Sequence, residues 1–232
     1  MLREIVLDTE TTGLDPFQGH KLVEIGCIEL QNHLPTGRVY HQYINPERDM
    51  PTEAFNVHGL SIDFLKNYPV FSSVADDFLA FIEGAQLIIH NARFDLKFLN
   101  YELAQLNKQL IDHDMVVDTL LMAREKFPGS PANLDALCRR FEIDNTGREK
   151  HGALLDSELL AAVYLELIGG RQHTFGLDNG QGVDAVSEYT DPILGRNKRP
   201  VRPVRPFEPT EDELNMHRAL LEKLSDPFWN RS

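Results

Sequence analysis

Asp8 and Glu10 stand two residues apart where the apolar run Arg3–Leu7 (REIVL) ends. That run reads as a buried strand, and a strand alternates its faces, so both carboxylates project to one side. Neighbouring acids raise each other's pKa, and a divalent cation removes the repulsion. Alone, the pair also fits a polar strand end entering a turn at Gly13. Asp156 is more telling. Leu159, Leu160, Val163 and Leu167 follow it at helical spacing, which places Asp156 on the apolar side of a helix. Asp95 stands in the same relation to Phe98, Leu99 and Leu106. A buried carboxylate is expensive unless it is paired or binds a metal. Each of these acids also suits a first-turn cap, but two of them together with Asp8 and Glu10 favour one shared metal site. His151 precedes Asp156 by five residues. It does not share a helix face with Asp156, so it belongs to the loop leading in, where a neutral imidazole can serve as general base. His90 ends a strand and reads as structural support.

The elements that must position these residues follow from periodicity. Lys21–Leu30 and Arg38–Ile44 read as two further strands, giving an antiparallel meander with the first. The pattern then alternates: helix Val70–Glu83, strand Ala85–Ile89, helix Arg93–Asn107, strand Val116–Asp118, and helices Leu120–Lys126, Leu134–Phe141 and Leu154–Ile168. Strands first, then helix and strand in alternation, predict an α/β fold with a mixed sheet and helices on its faces. The globular pattern stops at Gly169-Gly170. Residues 171–209 read as a linker, Pro-rich and basic at Arg196–Pro206. Thr210–Leu224 is helical again. Thr210 and Glu213 form a capping-box pattern, Leu214, Leu220, Leu221 and Leu224 mark an apolar face, and Phe228 and Trp229 follow.

The 232 residues carry a net charge of −13, which argues against coating nucleic acid by charge alone. It leaves room for one local site whose bound cations reverse the sign. No apolar run approaches a membrane span, and the first residues lack a signal-peptide pattern. Cys27 and Cys138 sit in apolar segments and read as buried thiols.

Three segments form a recognisable set. Leu7–Gly13 (LDTETTG), His90–Asp95 (HNARFD) and His151–Asp156 (HGALLD) resemble the three motifs of the DEDDh exonuclease superfamily. Asn133–Cys138, Phe141–Asn145, Pro51–Gly59 and Lys150–Leu165 are similar to the epsilon (proofreading) subunits of bacterial DNA polymerase III. The resemblance covers about residues 3–177. It implies a ribonuclease-H-like mixed five-stranded sheet flanked by helices, with a C-terminal tail ending in an amphipathic helix. The function implied is 3′→5′ exonuclease action on a DNA 3′ end, with Asp8, Glu10, Asp95 and Asp156 holding two Mg2+ or Mn2+ ions and His151 deprotonating the attacking water. Glu53 and His58 would lie near the terminal nucleotide, together with Asp8, Glu10 and Asp156. Thr9, Thr11 and Thr12 would add contacts to its sugar and phosphate.

The resemblance also implies an organisation: an exonuclease domain over 1–170, a linker over 171–209 and a partner-binding tail over 210–232. Gln172–Leu177 looks like a sliding-clamp peptide, and 210–232 like the segment that docks on the polymerase catalytic (alpha) subunit; a small theta-like subunit is left undecided. The expected location is the bacterial cytoplasm, at the replisome on the nucleoid. Two other functions compete. An RNA-processing exonuclease of the same superfamily shares the chemistry, though such enzymes usually lack the long tail. A non-catalytic polymerase-binding module is disfavoured by the complete acid set with His151.

Overall fold

The first strand runs past its apolar stretch. β1 spans Arg3–Thr11 and so holds Asp8 and Glu10 inside the strand. The reason is pairing: β2 (Leu22–Gln31) lies antiparallel along the whole of β1, with Arg3 opposite Gln31, Asp8 opposite Gly26 and Glu10 opposite Glu24. A register shift between Glu10 and Thr11 ends the regular ladder there. β3 (Leu34–Tyr43) completes the meander, starting earlier than its periodicity suggests because it is an exposed edge strand with many polar residues. β4 (Gln86–Ile89) lies parallel to β1, and β5 (Val116–Asp118) parallel to β4. The five strands form one mixed sheet in the order β3-β2-β1-β4-β5. The computed structural model describes residues 2–147, 150–169 and 210–221.

Between β3 and β4 lie α1 (Thr52–His58), α2 (Ile62–Leu65) and α3 (Phe71–Ile82). After β4 come α4 (Ala92–Gln105), α5 (Thr119–Lys126), α6 (Leu134–Arg140) and α7 (Ala153–Leu167). β1 is covered on both faces, which is why its apolar residues run without alternation. Ile5 and Leu7 meet Phe78 of α3 and Phe98 and Leu99 of α4 in one core. Val6 meets Leu137 of α6 and Leu160 and Val163 of α7 in the other. Both cysteines are buried and unbridged, Cys27 in the first core and Cys138 in the second. α1 and α2 escape a periodicity reading because they are too short to repeat an apolar stripe. α1 also leaves Phe55 and Val57 exposed, and it stops at Gly59, whose φ of 76° is left-handed.

The chain divides into two units, Met1–Gly176 and Leu177–Ser232. In the second, the described part is Thr210 and α8 (Glu211–Leu221). The capping box forms: the Thr210 amide donates to Glu213 Oε2 at 2.8 Å, and the Glu213 amide donates to Thr210 Oγ1 at 3.4 Å. Leu214 and Leu220 are exposed. The peptide Gln172–Leu177, the linker 171–209 and Leu224, Phe228 and Trp229 lie outside the described residues.

Candidate active site

The site is built where β1 ends. Asp8 and Glu10 occupy the β1 face that carries Val6, under α7, while Thr9 faces the opposite way with Ile5 and Leu7. α7 reaches this strand end because β2 offers it a glycine. A Cβ built on Gly26 would lie 2.3 Å from the Ala153 carbonyl carbon and 2.4 Å from the Leu154 amide nitrogen. Only a residue without a side chain admits the first turn of α7 so close. Ser157 Oγ then donates to the Gly26 carbonyl at 3.0 Å and fixes the contact. Asp8 lies opposite Gly26 in the ladder, so the seat of α7 is beside Asp8.

Asp156, in the first turn of α7, is buried as its place on the apolar side predicts. His151 lies ahead of α7, on the loop leading in, with 47% of its side chain exposed; its Nδ1 is 3.2 Å from Asp156 Oδ2. Two bonds to α1 hold that loop: the His151 amide donates to the Val57 carbonyl at 3.2 Å, and Lys150 Nζ donates to the Asn56 carbonyl at 2.7 Å. Among the described residues, Glu10, His151 and Asp156 bring one donor atom each within 4.8 Å of one another.

Asp95 is placed differently. It is buried in the first turn of α4, and its Oδ1 accepts from Thr9 Oγ1 at 2.7 Å. Its carboxylate therefore meets β1 at Thr9, between Asp8 and Glu10 and just past Leu7, where the pairing with β4 ends. Burial pushes its pKa up to about 7, against the lowering effect of the Thr9 hydroxyl. Thr9 and Thr11 both use their hydroxyl protons inside the protein, Thr11 on the Gly13 carbonyl at 2.6 Å. Any contact from Thr9 to a substrate is left to its backbone or to its hydroxyl as an acceptor.

A cavity of about 610 Å³ opens beside Glu10, lined among others by Thr12, Glu53, Val57, His58 and Phe94. This volume suits a small ligand of nucleotide size. His58 is 5% exposed, and its Nδ1 accepts from the Leu60 amide at 3.0 Å. The ring proton is thereby assigned to Nε2, which has no partner in the described structure. Burial holds the His58 pKa below its usual value, opposed by the nearby Glu24 charge and by the Thr11 backbone toward which the ring is turned. A buried donor without a hydrogen bond of ordinary geometry, at the wall of a cavity, is open to a ligand.

Glu24 itself escaped the sequence reading. It lies opposite Glu10 in the ladder, is 3% exposed, and its Oε1 is 2.7 Å from His41 Nε2. Buried acids at one strand position on two neighbouring strands were invisible without the register. The signal available in the sequence was an acid inside the apolar run of β2.

A family model for exonucleases matches residues 5–164. DNA polymerase III subunit epsilon of Rickettsia felis is 52% identical over 226 residues, covering 96% of this chain and 97% of that protein. The Escherichia coli K12 protein of the same name is 42% identical over 227 residues, covering 95% and 92%. This chain belongs to the DNA polymerase III epsilon-subunit family. Solved structures agree on the fold. The nuclease domain of 3'hExo, a DEDDh family member bound to rAMP, aligns with a TM-score of 0.60 at 20% identity, covering 74% of this chain and 94% of that one. Exonuclease X in complex with 5′ overhanging duplex DNA aligns with a TM-score of 0.56 at 21% identity, covering 71% and 90%. The mixed sheet flanked by helices is the ribonuclease-H-like exonuclease fold of this family. Among the described residues, no helix is long and apolar enough to cross a membrane.

Proposed function

We propose that this epsilon-family chain is the proofreading 3′→5′ exonuclease of a bacterial replicative polymerase, releasing mononucleotides from a DNA 3′ end in the cytoplasm. The observation that carries the reading is the convergence of Glu10, His151 and Asp156 within 4.8 Å, beside a nucleotide-sized cavity. Glu10 is far in sequence from His151 and Asp156, and both acids are buried.

The donor set fits divalent cations. Carboxylate oxygens suit Mg2+ and Mn2+, and donors within 4.8 Å of one another can share one ion at ordinary ligand distances. Asp8, Glu10 and Asp156 would hold two such ions, with Asp95 completing the set from α4. Bound there, the ions supply a water of lowered pKa and neutralise charge on the attacked phosphate and the leaving 3′ oxygen. His151 takes the proton from the attacking water. Its half-exposed ring can pass that proton to solvent, and Asp156 beside Nδ1 orients the ring. Glu53 and His58 bind the terminal nucleotide, the His58 Nε2–H donating to an acceptor on it. A mismatched end is more easily unpaired than a matched one, so selectivity arises from strand melting without reading of base identity.

The exposed Leu214, Met216 and Leu220 of α8 support docking of 210–232 on the polymerase catalytic subunit, and Gln172–Leu177 is the matching proposal for the sliding clamp. Single-turnover digestion of a 3′-labelled primer tests the chemistry. Asp8→Ala and Asp156→Asn should be nearly inactive while folded, chelator should silence the wild type, and Mg2+ or Mn2+ should restore it. Near wild-type rates in either carboxylate variant would overturn the assignment. Faster turnover of single-stranded RNA than DNA would move the substrate to RNA.

A further inference from the structure

Asp118, the last residue of β5, gathers backbone donors from two helices. Its Oδ1 accepts from the amides of Leu120 at 2.9 Å and Leu121 at 3.4 Å, the ordinary cap of α5. The same oxygen accepts from the Asn91 amide at 3.1 Å, and Oδ2 accepts from the Ala92 amide at 3.1 Å. Asn91 and Ala92 begin α4, a helix distant in sequence. α4 lacks a cap of its own: Asn91 occupies the N-cap position with φ 61° and ψ 50° and makes no side-chain capping bond. The first amides of a helix have no partner within it, and here a strand end on the neighbouring element supplies one. Asp95 lies three residues after Ala92. Its helix is thus tied to β5 through Asp118, and its carboxylate to β1 through Thr9.

We propose that Asp118 is a positioning residue: it fixes the start of α4 so that Asp95 is held where the metal-binding carboxylates need it. The inference rests on the metal reading above. It differs from a plain capping role, which Asn133 exemplifies: Asn133 Oδ1 accepts from the Ala136 amide at 2.8 Å and caps α6 alone.

The test titrates Mn2+ into the metal-free full chain, following the free ion by electron paramagnetic resonance, with a thermal melt of each variant. Asp118→Ala should weaken Mn2+ binding by about ten- to a hundredfold, and Asp118→Asn, which keeps one acceptor oxygen, by less. Asn133→Ala should lower the melting temperature comparably and leave Mn2+ affinity unchanged. In an Asp95→Asn background, Asp118→Ala should add little to the loss already present, because it acts through Asp95. Wild-type affinity in both Asp118 variants, or a full extra loss in the Asp95→Asn background, overturns the inference. Should Asp118→Ala not fold, Asp118→Asn carries the same comparison. A wild-type chain that binds no Mn2+ overturns the metal reading and this inference with it; a wild type that binds, with Asp118 variants unaltered, overturns this inference alone.

Discussion

Gly26→Ala adds one methyl group in the core, yet it should disable the site. The new Cβ would meet the Ala153 carbonyl carbon at 2.3 Å and its oxygen at 2.4 Å. These are backbone atoms, so no rotamer change relieves the clash. Ordinary contact begins near 3.4 Å, and the first turn of α7 must retreat from β2 by about 1 Å, a displacement that costs catalysis on the order of 10²-fold. Asp156 moves with that turn, and the grouping of Glu10, His151 and Asp156 opens. Overpacking should also lower stability by about 1–3 kcal/mol, with roughly 1 kcal/mol more from stretching the Ser157 bond. Single-turnover primer digestion at saturating Mn2+, beside a chemical-denaturation curve, reads both effects. Ser157→Ala is the control: it removes the bond without adding bulk, so it should lose about 1 kcal/mol and keep most activity. Turnover of Gly26→Ala within about threefold of wild type, where ~10²-fold is expected, would refute the view that the seat of α7 sets the site.

His151→Ala should slow the chemical step by about 10²–10⁴-fold with little change in melting temperature, since the ring is half exposed; an equal fall in stability and rate would argue for a structural ring instead. Burial holds the His90 pKa below the usual 6.5, so the folded state keeps that ring neutral while the unfolded chain protonates it. Its contribution to stability is complete above the ordinary value and is lost as pH falls through the folded one. An NMR titration of the His90 ring should give a midpoint below 6.5, and a midpoint at or above that value would contradict the burial argument. Truncation after residue 180 should keep nuclease activity and abolish capture of the polymerase catalytic subunit; unchanged capture would remove the tail from that role.

Long periodic segments were legible in the sequence, and so was the oddity of Asp95 and Asp156 on apolar helix faces. Both prove to be buried in first turns. What one dimension cannot carry is register. That Glu10 lies opposite Glu24, and Asp8 opposite the glycine on which α7 rests, depends on how β1 and β2 align. The extension of β1 through Thr11 was hidden because polar residues there are held in the strand by pairing, not by their own pattern. Asp118 read only as the end of the strand Val116–Asp118. Its hold on α4 exists only because β4 and β5 run parallel with Ile89 beside Asp118.

The loop bearing His151 is bonded to α1 through the Val57 and Asn56 carbonyls, and α1 also supplies Glu53 and His58 to the cavity. On the proposed roles, the wall that would feel the nucleotide and the imidazole that would withdraw the proton are thus joined by two hydrogen bonds. With those roles, an end that seats badly against α1 would misalign the base at the same moment, and recognition of a frayed terminus and readiness to cleave would be one mechanical event.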